Sequence, residues 1–195
     1  MSTHPRFKIL MIFLLVSTLA CKALTPAAEP TAAEIEREEQ AVYSFFVHAG
    51  DGPAVLRQET VTDISDDDPQ QTLEYVRDGL KSVSRETLDN YLERNAKPSL
   101  LSPDMDLGVE YVLLSAEEQQ RIFRQPEGWD VFYEQYPGSG GYTELSRVGF
   151  NDTLDQALIY VGNMAGPLMG AGFYYLLEKT GGEWRLMEQI MVWIS

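Results

Sequence analysis

The pair Gly181-Gly182 near the carboxyl end constrains the fold more than any other short segment of this chain. It separates two runs rich in apolar and aromatic residues. A tight two-residue hairpin turn needs positive φ at both positions, which glycine adopts without strain. We therefore expect residues 172–180 and 183–194 to form an antiparallel hairpin in one fixed register. The predicted pairs are Leu177 with Leu186, Leu176 with Met187, Phe173 with Ile190, and Glu178 with Arg185.

Other segments extend this hairpin into a sheet and place helices before it. Alternating and β-branched residues predict strands at 143–150, 156–162 and 54–62, whereas 109–114 is either a strand or the lead-in to a helix. Helical periodicity predicts a first helix that ends before Gly50, then helices over 73–83, 84–93, 115–124 and 129–136. The expected fold class is α+β, with an N-terminal helix and mid-chain helices packed on a curved C-terminal antiparallel sheet.

Two of these helices carry a recognisable N-terminal signal. Thr31 precedes Glu34, and Ser115 precedes Glu118, at the spacing of a capping box. In the first helix we expect an apolar face and a water-facing side. The apolar face comprises Ile35, Val42, Phe45, Phe46 and Ala49, and the water-facing side comprises Glu36, Arg37 and Gln40.

The last strand offers a candidate binding face. Its even-numbered residues from Trp184 to Ile194 are mostly apolar and predict a packed face, interrupted only by Glu188. The opposite face is mixed, because methionine and aromatic residues there adjoin polar ones. Methionine and aromatic side chains suit adaptable apolar contact. The predicted ligand-pocket residues are Tyr174, Met187, Met191 and Trp193. The alternative is that helices cover this face and make it a second core.

The first twenty residues have the order of a secretory signal. Arg6 and Lys8 precede the apolar run 9–16, and small residues then lead to Cys21. Leu19 and Ala20 before the only cysteine resemble a bacterial lipobox. We expect a signal peptide at 1–20, lipidation of Cys21, a flexible tether over 21–32 and one α+β domain over 33–195. Ordinary signal-peptidase cleavage near Ala20 or Ala23 is the alternative.

This leader sets the expected location and partners. Lys22 after the cysteine favours the outer membrane, on its periplasmic side, over retention at the inner membrane. The chain has a net charge of −15, and loss of two basic residues and no acidic one with the leader makes it −17. Such a domain is repelled by nucleic acid and by anionic lipid. The expected partners are the membrane, through the lipid, and an unknown protein or a small apolar ligand.

The sequence contains few groups of the kinds that enzymes use. His48 is the only histidine after the leader, and its place at the end of the first helix is typical of a cap rather than a base. A cysteine nucleophile is excluded if Cys21 is lipidated, and zinc coordination lacks ligands. The glycines between 162 and 172 lack a phosphate-loop pattern and indicate a loop and bulges. We expect no cofactor.

Two acidic clusters form weak calcium candidates, because hard cations bind several oxygens on a curved loop. One contains Asp63 with Asp66, Asp67 and Asp68, and the other contains Asp104, Asp106 and Glu110. Neither follows the EF-hand pattern. In so acidic a chain, a solvated loop is the ordinary explanation of an aspartate run.

Several C-terminal segments carry a resemblance. They are Ser-Arg-Val-Gly-Phe-Asn (146–151), Gln-Ala-Leu-Ile-Tyr-Val-Gly-Asn (156–163), Gly-Ala-Gly-Phe-Tyr-Tyr-Leu-Leu-Glu-Lys (170–179) and Met-Val-Trp-Ile-Ser (191–195). Together they resemble a group of bacterial exported proteins of unknown function, and the resemblance implies no activity. The order of helix then curved sheet is also similar to nuclear-transport-factor-like and cystatin-like folds, an analogy of fold alone.

Together these features predict a cell-envelope lipoprotein with a non-enzymatic binding or interaction domain. The alternative function is a carboxylate-dependent envelope hydrolase. A pair of carboxylates in a closed pocket would favour the hydrolase, and a shallow apolar face would favour the binding domain.

Overall fold

The computed structural model describes residues 29–62 and 69–195 of the 195-residue chain. Its helices lie in the N-terminal and middle regions, as expected. They are α1 (Ala32–Phe46), α2 (Pro69–Gly79), α3 (Arg85–Arg94), α4 (Ala116–Phe123) and α5 (Gly128–Gln135). The capping predictions are confirmed, because the hydroxyls of Thr31 and Ser115 accept hydrogen bonds from the backbone N–H groups of Glu34 and Glu118. None of the helices described is long and apolar enough to cross a membrane.

The strands form one open, mixed sheet, so the α+β prediction is confirmed. They are β1 (Ala54–Arg57), β2 (Tyr111–Leu114), β3 (Tyr142–Leu145), β4 (Gly149–Phe150), β5 (Gln156–Gly166), β6 (Met169–Thr180) and β7 (Glu183–Ile194). The order across the sheet is β2-β1-β3-β5-β6-β7, with β4 paired to β5. The C-terminal strands are antiparallel as predicted, but β1 pairs in parallel with both β2 and β3. The edge strands β2 and β7 do not close the sheet into a barrel.

The predicted hairpin register is confirmed beside the turn and wrong beyond it. Gly181 and Gly182 both have positive φ, and Leu177 faces Leu186. A bulge then shifts the pairing by one residue, so Leu176 faces Glu188 instead of Met187. For the same reason Phe173 faces Met191 instead of Ile190. A bulge sets two residues of one strand opposite one of its partner, an irregularity that alternation of residue types does not reveal.

The bulge also corrects the predicted faces of the last strand. Trp184 packs into the core beneath α1, whereas Ile190 and Val192 pack against the core beneath α2 and α3. These even-numbered residues therefore lie on opposite faces of the sheet. A slip of one residue moves every later side chain of a strand to the other face.

Helices cover both faces of the sheet. On one face, α1 packs over β1, β3, β5 and β6 through Val42, Tyr43 and their neighbours. On the other face, α2 and α3 cover β5 to β7, while α4 and α5 cover β1 to β3. The cover of α1 is unusual because two acidic residues, Glu38 and Glu39, lie on its buried side.

Candidate functional site

The structure separates the four residues of the predicted binding face. Tyr174 is 2% exposed and belongs to the core beneath α2 and α3. Trp193 is partly buried and donates an Nε1–H hydrogen bond of 2.8 Å to the Tyr160 hydroxyl. Met187 occupies the bulge and is 44% exposed. Met191 faces Phe173 and is 48% exposed. Helices thus cover part of this face, and its exposed methionines line none of the cavities described below.

Several other predicted sites have a simple outcome. Cys21, the leader and Asp63 to Asp68 lie outside the described residues, so those predictions stand as they were made. His48 is exposed, just beyond the end of α1. Among residues 29–62 and 69–195, no three histidine, cysteine or acidic side chains converge to hold a metal ion. Asp104, Asp106 and Glu110 therefore do not form such a group, which agrees with the ordinary explanation of a solvated loop.

The clearest polar constellation surrounds Glu39 on the buried side of α1. Tyr43 lies one helical turn further along, and its hydroxyl donates a 3.2 Å hydrogen bond to Glu39 Oε1. Arg94, the last residue of α3, donates from Nη2 to the same oxygen at 2.9 Å. The backbone N–H of Val148 donates a third hydrogen bond to this oxygen, at 3.0 Å.

Arg147, in the connection between β3 and β4, completes this arginine cluster. Its Nε and Nη2 reach Glu39 Oε1 and Oε2 at 2.8 and 2.9 Å, a bidentate geometry that fixes both side chains. Its Nη1 lies 3.4 Å from the Ser99 hydroxyl. One carboxylate, only 8% exposed, therefore binds two guanidinium groups and joins α1, α3 and the sheet.

The pKa values of Glu39, Tyr43 and Arg147 are all shifted away from neutral pH. Burial of Glu39 acts to raise its pKa, but the hydrogen bond from Arg147 and the charges of both arginines outweigh burial and lower the pKa. Burial and the neighbouring Glu39 charge raise the pKa of Tyr43 well above its ordinary value. The hydrogen bond to Glu39 raises the pKa of Arg147. At neutral pH the cluster contains one carboxylate, two guanidinium ions and a neutral phenol.

The cluster forms the floor of a groove between α1 and the segment 100–105, with a cavity volume of about 340 Å³. We call this the arginine groove. Its apolar wall consists of Ile35, Leu100, Leu101 and Met105. Leu100 is 71% exposed, which is unusual for a leucine and leaves an apolar rim open to solvent. Glu36 lies on the opposite rim.

A second acidic residue of α1, Glu38, makes a separate set of contacts on the same buried side. Glu38 Oε2 accepts 2.6 Å and 3.1 Å hydrogen bonds from Lys179 Nζ and Trp184 Nε1. The Lys179 ammonium also lies 5.5 Å from the centre of the Trp184 ring, a cation–π distance. These contacts tie α1 to the β6–β7 hairpin and do not open onto the arginine groove.

Sequence reasoning missed both glutamates although a signal was present. Counted from Ile35, Glu38 and Glu39 recur with Val42 and Tyr43 at the three- and four-residue spacing of one helical face. An acidic residue on a buried face needs a partner of opposite charge, so this spacing predicts ion pairs. The spacing does not identify Arg94 or Arg147 as the partners, because they lie 55 and 108 residues from Glu39 in the sequence.

No protein-family model, curated protein or solved structure matches this chain. The chemistry of the arginine groove is therefore the basis for assigning a function. It provides hydrogen-bond donors with positive charge beside an apolar wall.

Proposed function

We propose that this chain is a cell-envelope lipoprotein, anchored through Cys21, whose domain binds a small amphipathic anion in the arginine groove without catalysing a reaction. The ligand would be a carboxylate or a similar anionic group joined to an apolar chain. This proposal keeps the binding role expected from sequence and moves it from the β7 face to the groove.

The observation that carries the proposal is the surplus of hydrogen-bond donors in the arginine cluster. Each arginine has about five N–H donors. Within the described residues, Arg94 donates one hydrogen bond and Arg147 donates three. The Nε of Arg94 is buried and finds no acceptor there. An anion in the groove would accept from the guanidinium groups, and charge-assisted hydrogen bonds of this kind are stronger than neutral ones.

The local charge supports the same ligand. Glu39 neutralises only one of its two arginines, so the floor retains one positive charge in a chain of net charge −15. A fixed cation in a partly desolvated groove attracts an anion more strongly than a cation on the open surface does, because water screens the groove less. Glu36, on the exposed rim, opposes this attraction and offers a way to tune it.

The apolar wall supports a ligand with a hydrocarbon part. Leu100 and Leu101, with Met105, present apolar surface beside the charged floor. A volume of about 340 Å³ lies at the small end of ligand cavities, which suits a chain of moderate length. Burial of that chain against the wall would add stabilisation of about 0.8 kcal/mol for each methylene removed from water.

The state of the buried carboxylates favours binding over hydrolysis. A general acid or base acts best when its pKa lies near the working pH. The pKa of Glu39 is shifted downward and that of Tyr43 upward, both away from neutrality. Glu38, the other buried acid described, is held by Lys179. The hydrolase alternative would require a carboxylate pair free of such ion pairs.

Calorimetric titration of the soluble domain tests the proposal. We expect decanoate to bind, while decanol, which has the same chain and no charge, binds at least about tenfold more weakly because it loses the ionic contact. Acetate should bind more weakly still, because it lacks the chain. Equal affinity for decanoate and decanol would overturn the anionic part of the proposal, and absence of binding to decanoate at millimolar concentration would overturn it entirely.

Two rim variants make the same titration specific for the groove. Leu100→Asp changes an exposed residue, so it should preserve the fold while weakening decanoate through lost apolar contact and added repulsion. Glu36→Gln removes the opposing charge and should strengthen binding. Unchanged affinity in both variants would place the ligand elsewhere.

Membrane fractionation tests the anchor separately. The lone cysteine after a small residue at the end of an apolar run is the basis for lipidation. Cys21→Ser should release the protein from the membrane fraction. Retention of this variant in the membrane fraction would contradict the proposed lipid anchor, whatever the outcome for the groove.

A further inference from the structure

A second cavity, on the other face of the sheet, is built from different chemistry. It has a volume of about 480 Å³ and lies between α4, α5 and the end of the β5–β6 hairpin. We call it the aromatic hollow. Three rings line it: Phe123, Trp129 and Tyr142. The planes of Trp129 and Tyr142 differ by only 13°, with ring centres 5.9 Å apart, and Trp129 is the more exposed ring of this stacked pair because Tyr142 is 6% exposed.

Packing fixes the rings of this hollow. Trp129 contacts Phe123, Phe132 and Tyr133 as well as Tyr142, with ring centres separated by 4.9 to 5.9 Å. A ring held from several sides loses little further conformational entropy when a ligand stacks on it. The aromatic surface is therefore organised before any ligand arrives.

Polar groups lie beside the ring surface at the wall of the hollow. Gln119 Nε2 donates a 3.1 Å hydrogen bond to the Tyr142 hydroxyl, which leaves the amide oxygen of Gln119 as an acceptor. The Tyr142 hydroxyl accepts this bond, so its own proton is available to another acceptor. Burial, followed by the Glu144 charge, raises the pKa of Tyr142, which keeps that proton in place at neutral pH. Gln120 and Arg124 add an amide and a guanidinium group at the exposed side.

We infer that the aromatic hollow binds a neutral N-acetylated hexosamine unit of a glycan. A sugar ring has an apolar C–H face that stacks on an aromatic ring and hydroxyl groups at its edge that pair with amides. An acetamido group supplies one donor and one acceptor for Gln119 and Gln120. Its methyl group has apolar neighbours in Met164 and Pro167, which also line the hollow.

Other ligand classes fit the hollow less well. A pure hydrocarbon would bury the side-chain amides without partners, which costs about 1–3 kcal/mol for each unsatisfied group. An anion would find Arg124 as the only cation in the lining, at an exposed position near the end of α4, where the helix dipole presents its negative end. The net charge of −15 adds repulsion. A neutral ring with hydroxyl and amide groups avoids both penalties.

The hollow lies away from the β6–β7 turn and from the arginine groove. Glu38, midway along α1, contacts Lys179 and Trp184 beside the Gly181-Gly182 turn, whereas the hollow adjoins Gly166 at the far end of β5 and β6. The Glu38 contacts and the hollow therefore lie at opposite ends of the long strands. The hollow is also separate from the arginine groove, which has a different set of lining residues.

Titration calorimetry with N,N′,N″-triacetylchitotriose tests this inference, with cellotriose as the matched glycan without acetamido groups. We expect the acetylated trimer to bind in the millimolar range or tighter, and cellotriose to bind at least about tenfold more weakly. Absence of binding when the acetylated trimer is present at about 10 mM would overturn the inference. Equal binding of the two trimers would overturn the assignment of the acetamido group.

Variants locate the binding. Gln120→Ala alters an exposed side chain and should weaken the acetylated trimer several-fold without changing the melting temperature. Trp129→Phe, which keeps an aromatic ring, should weaken it less than Trp129→Ala. Phe45→Ala, at a partly exposed aromatic on α1, is the control and should leave affinity unchanged. Binding unaffected by Gln120→Ala and Trp129→Phe would contradict the hollow as the site. Titration of the same variants with decanoate shows whether a loss of affinity is confined to the aromatic hollow or also affects the arginine groove.

Discussion

The arginine groove and the β7 face show how differently two surfaces of one small domain can be built. The groove has a floor in which two arginines share one carboxylate, and its ligand contacts would come from side chains that packing already holds in place. The β7 face exposes Met187 and Met191, but Met187 lies in a bulge that changes which of the later side chains share a face. Exposed apolar residues alone therefore do not define a binding site; concavity and oriented polar groups are also needed.

The largest expected effect that separates the two regions comes from Glu39→Ala. Removal of the carboxylate leaves the guanidinium groups of Arg94 and Arg147 partly buried without their anion, and loss of one partner of a buried ion pair costs about 3–5 kcal/mol. Urea unfolding followed by circular dichroism measures this loss. Glu36→Ala, on the exposed side of the same helix, is the control and should change stability by no more than about 0.5 kcal/mol. Equal effects of the two variants would mean that the cluster does not stabilise the fold.

Gly182→Val should have the next largest effect and tests what sets the register of β7. The φ of Gly182 is +89°, a conformation that costs a β-branched residue about 1–3 kcal/mol. Gly140→Val is the matched control, since an added Cβ meets nothing within 4 Å there and its φ is not in the positive range. We expect a lower melting temperature for the first variant alone. Equal melting temperatures would remove the turn as the element that fixes the hairpin.

Acid should destabilise the domain through the arginine cluster, because the pKa of Glu39 is lower in the folded protein than its ordinary value of 4.5. A carboxylate with a lowered folded-state pKa contributes its full stability above the unfolded-state pKa and loses it as pH falls through the folded-state pKa. Stability should therefore fall as pH decreases below about 4.5. Glu39→Gln should show a shallower decrease over that range. Parallel pH profiles for the two proteins would assign the acid sensitivity to other carboxylates.

Met191→Ala should have the smallest effect of the series. A fully packed methionine would cost about 2–5 kcal/mol on truncation, but Met191 is 48% exposed, so we expect a loss of about 1 kcal/mol. Chemical unfolding gives the value directly. A loss as large as that of Glu39→Ala would mean that the β7 face is packed core, and the contrast between the two regions would disappear.

Local signals were sufficient to predict the helices and the long C-terminal strands, but they left 109–114 open and joined β3 and β4 into one strand. The capping boxes at Thr31 and Ser115, the Gly181-Gly182 turn and the alternation in the last strands identify helix starts and the antiparallel hairpin. The parallel pairing of β1 was not predicted, because short strands carry no local mark of their neighbour. The bulge at Met187 was missed for a related reason, since the residue that is unpaired depends on the packing of both faces.

The candidate site could be predicted only in part. Glu38 and Glu39 recur with the apolar residues of α1 at the three- and four-residue spacing of one helical face. This spacing predicts that both carboxylates are buried and that each needs a cation. Which cations they bind depends on the position of α3 against the β3–β4 connection, and no pattern near Glu39 records it. Conversely, the methionines of β7 have the composition of a binding face, but composition does not reveal curvature.

A residue-resolved ¹H–¹⁵N NMR titration of the domain with decanoate tests the central claim most directly. The account predicts that backbone amides around the arginine groove, such as those of Ile35, Leu101 and Ser102, shift with a common saturation curve. It also predicts that the amides of Met187 and Met191 remain unchanged. Shifts confined to the β7 amides, or no saturable shift in either region, would contradict the arginine groove as the binding site.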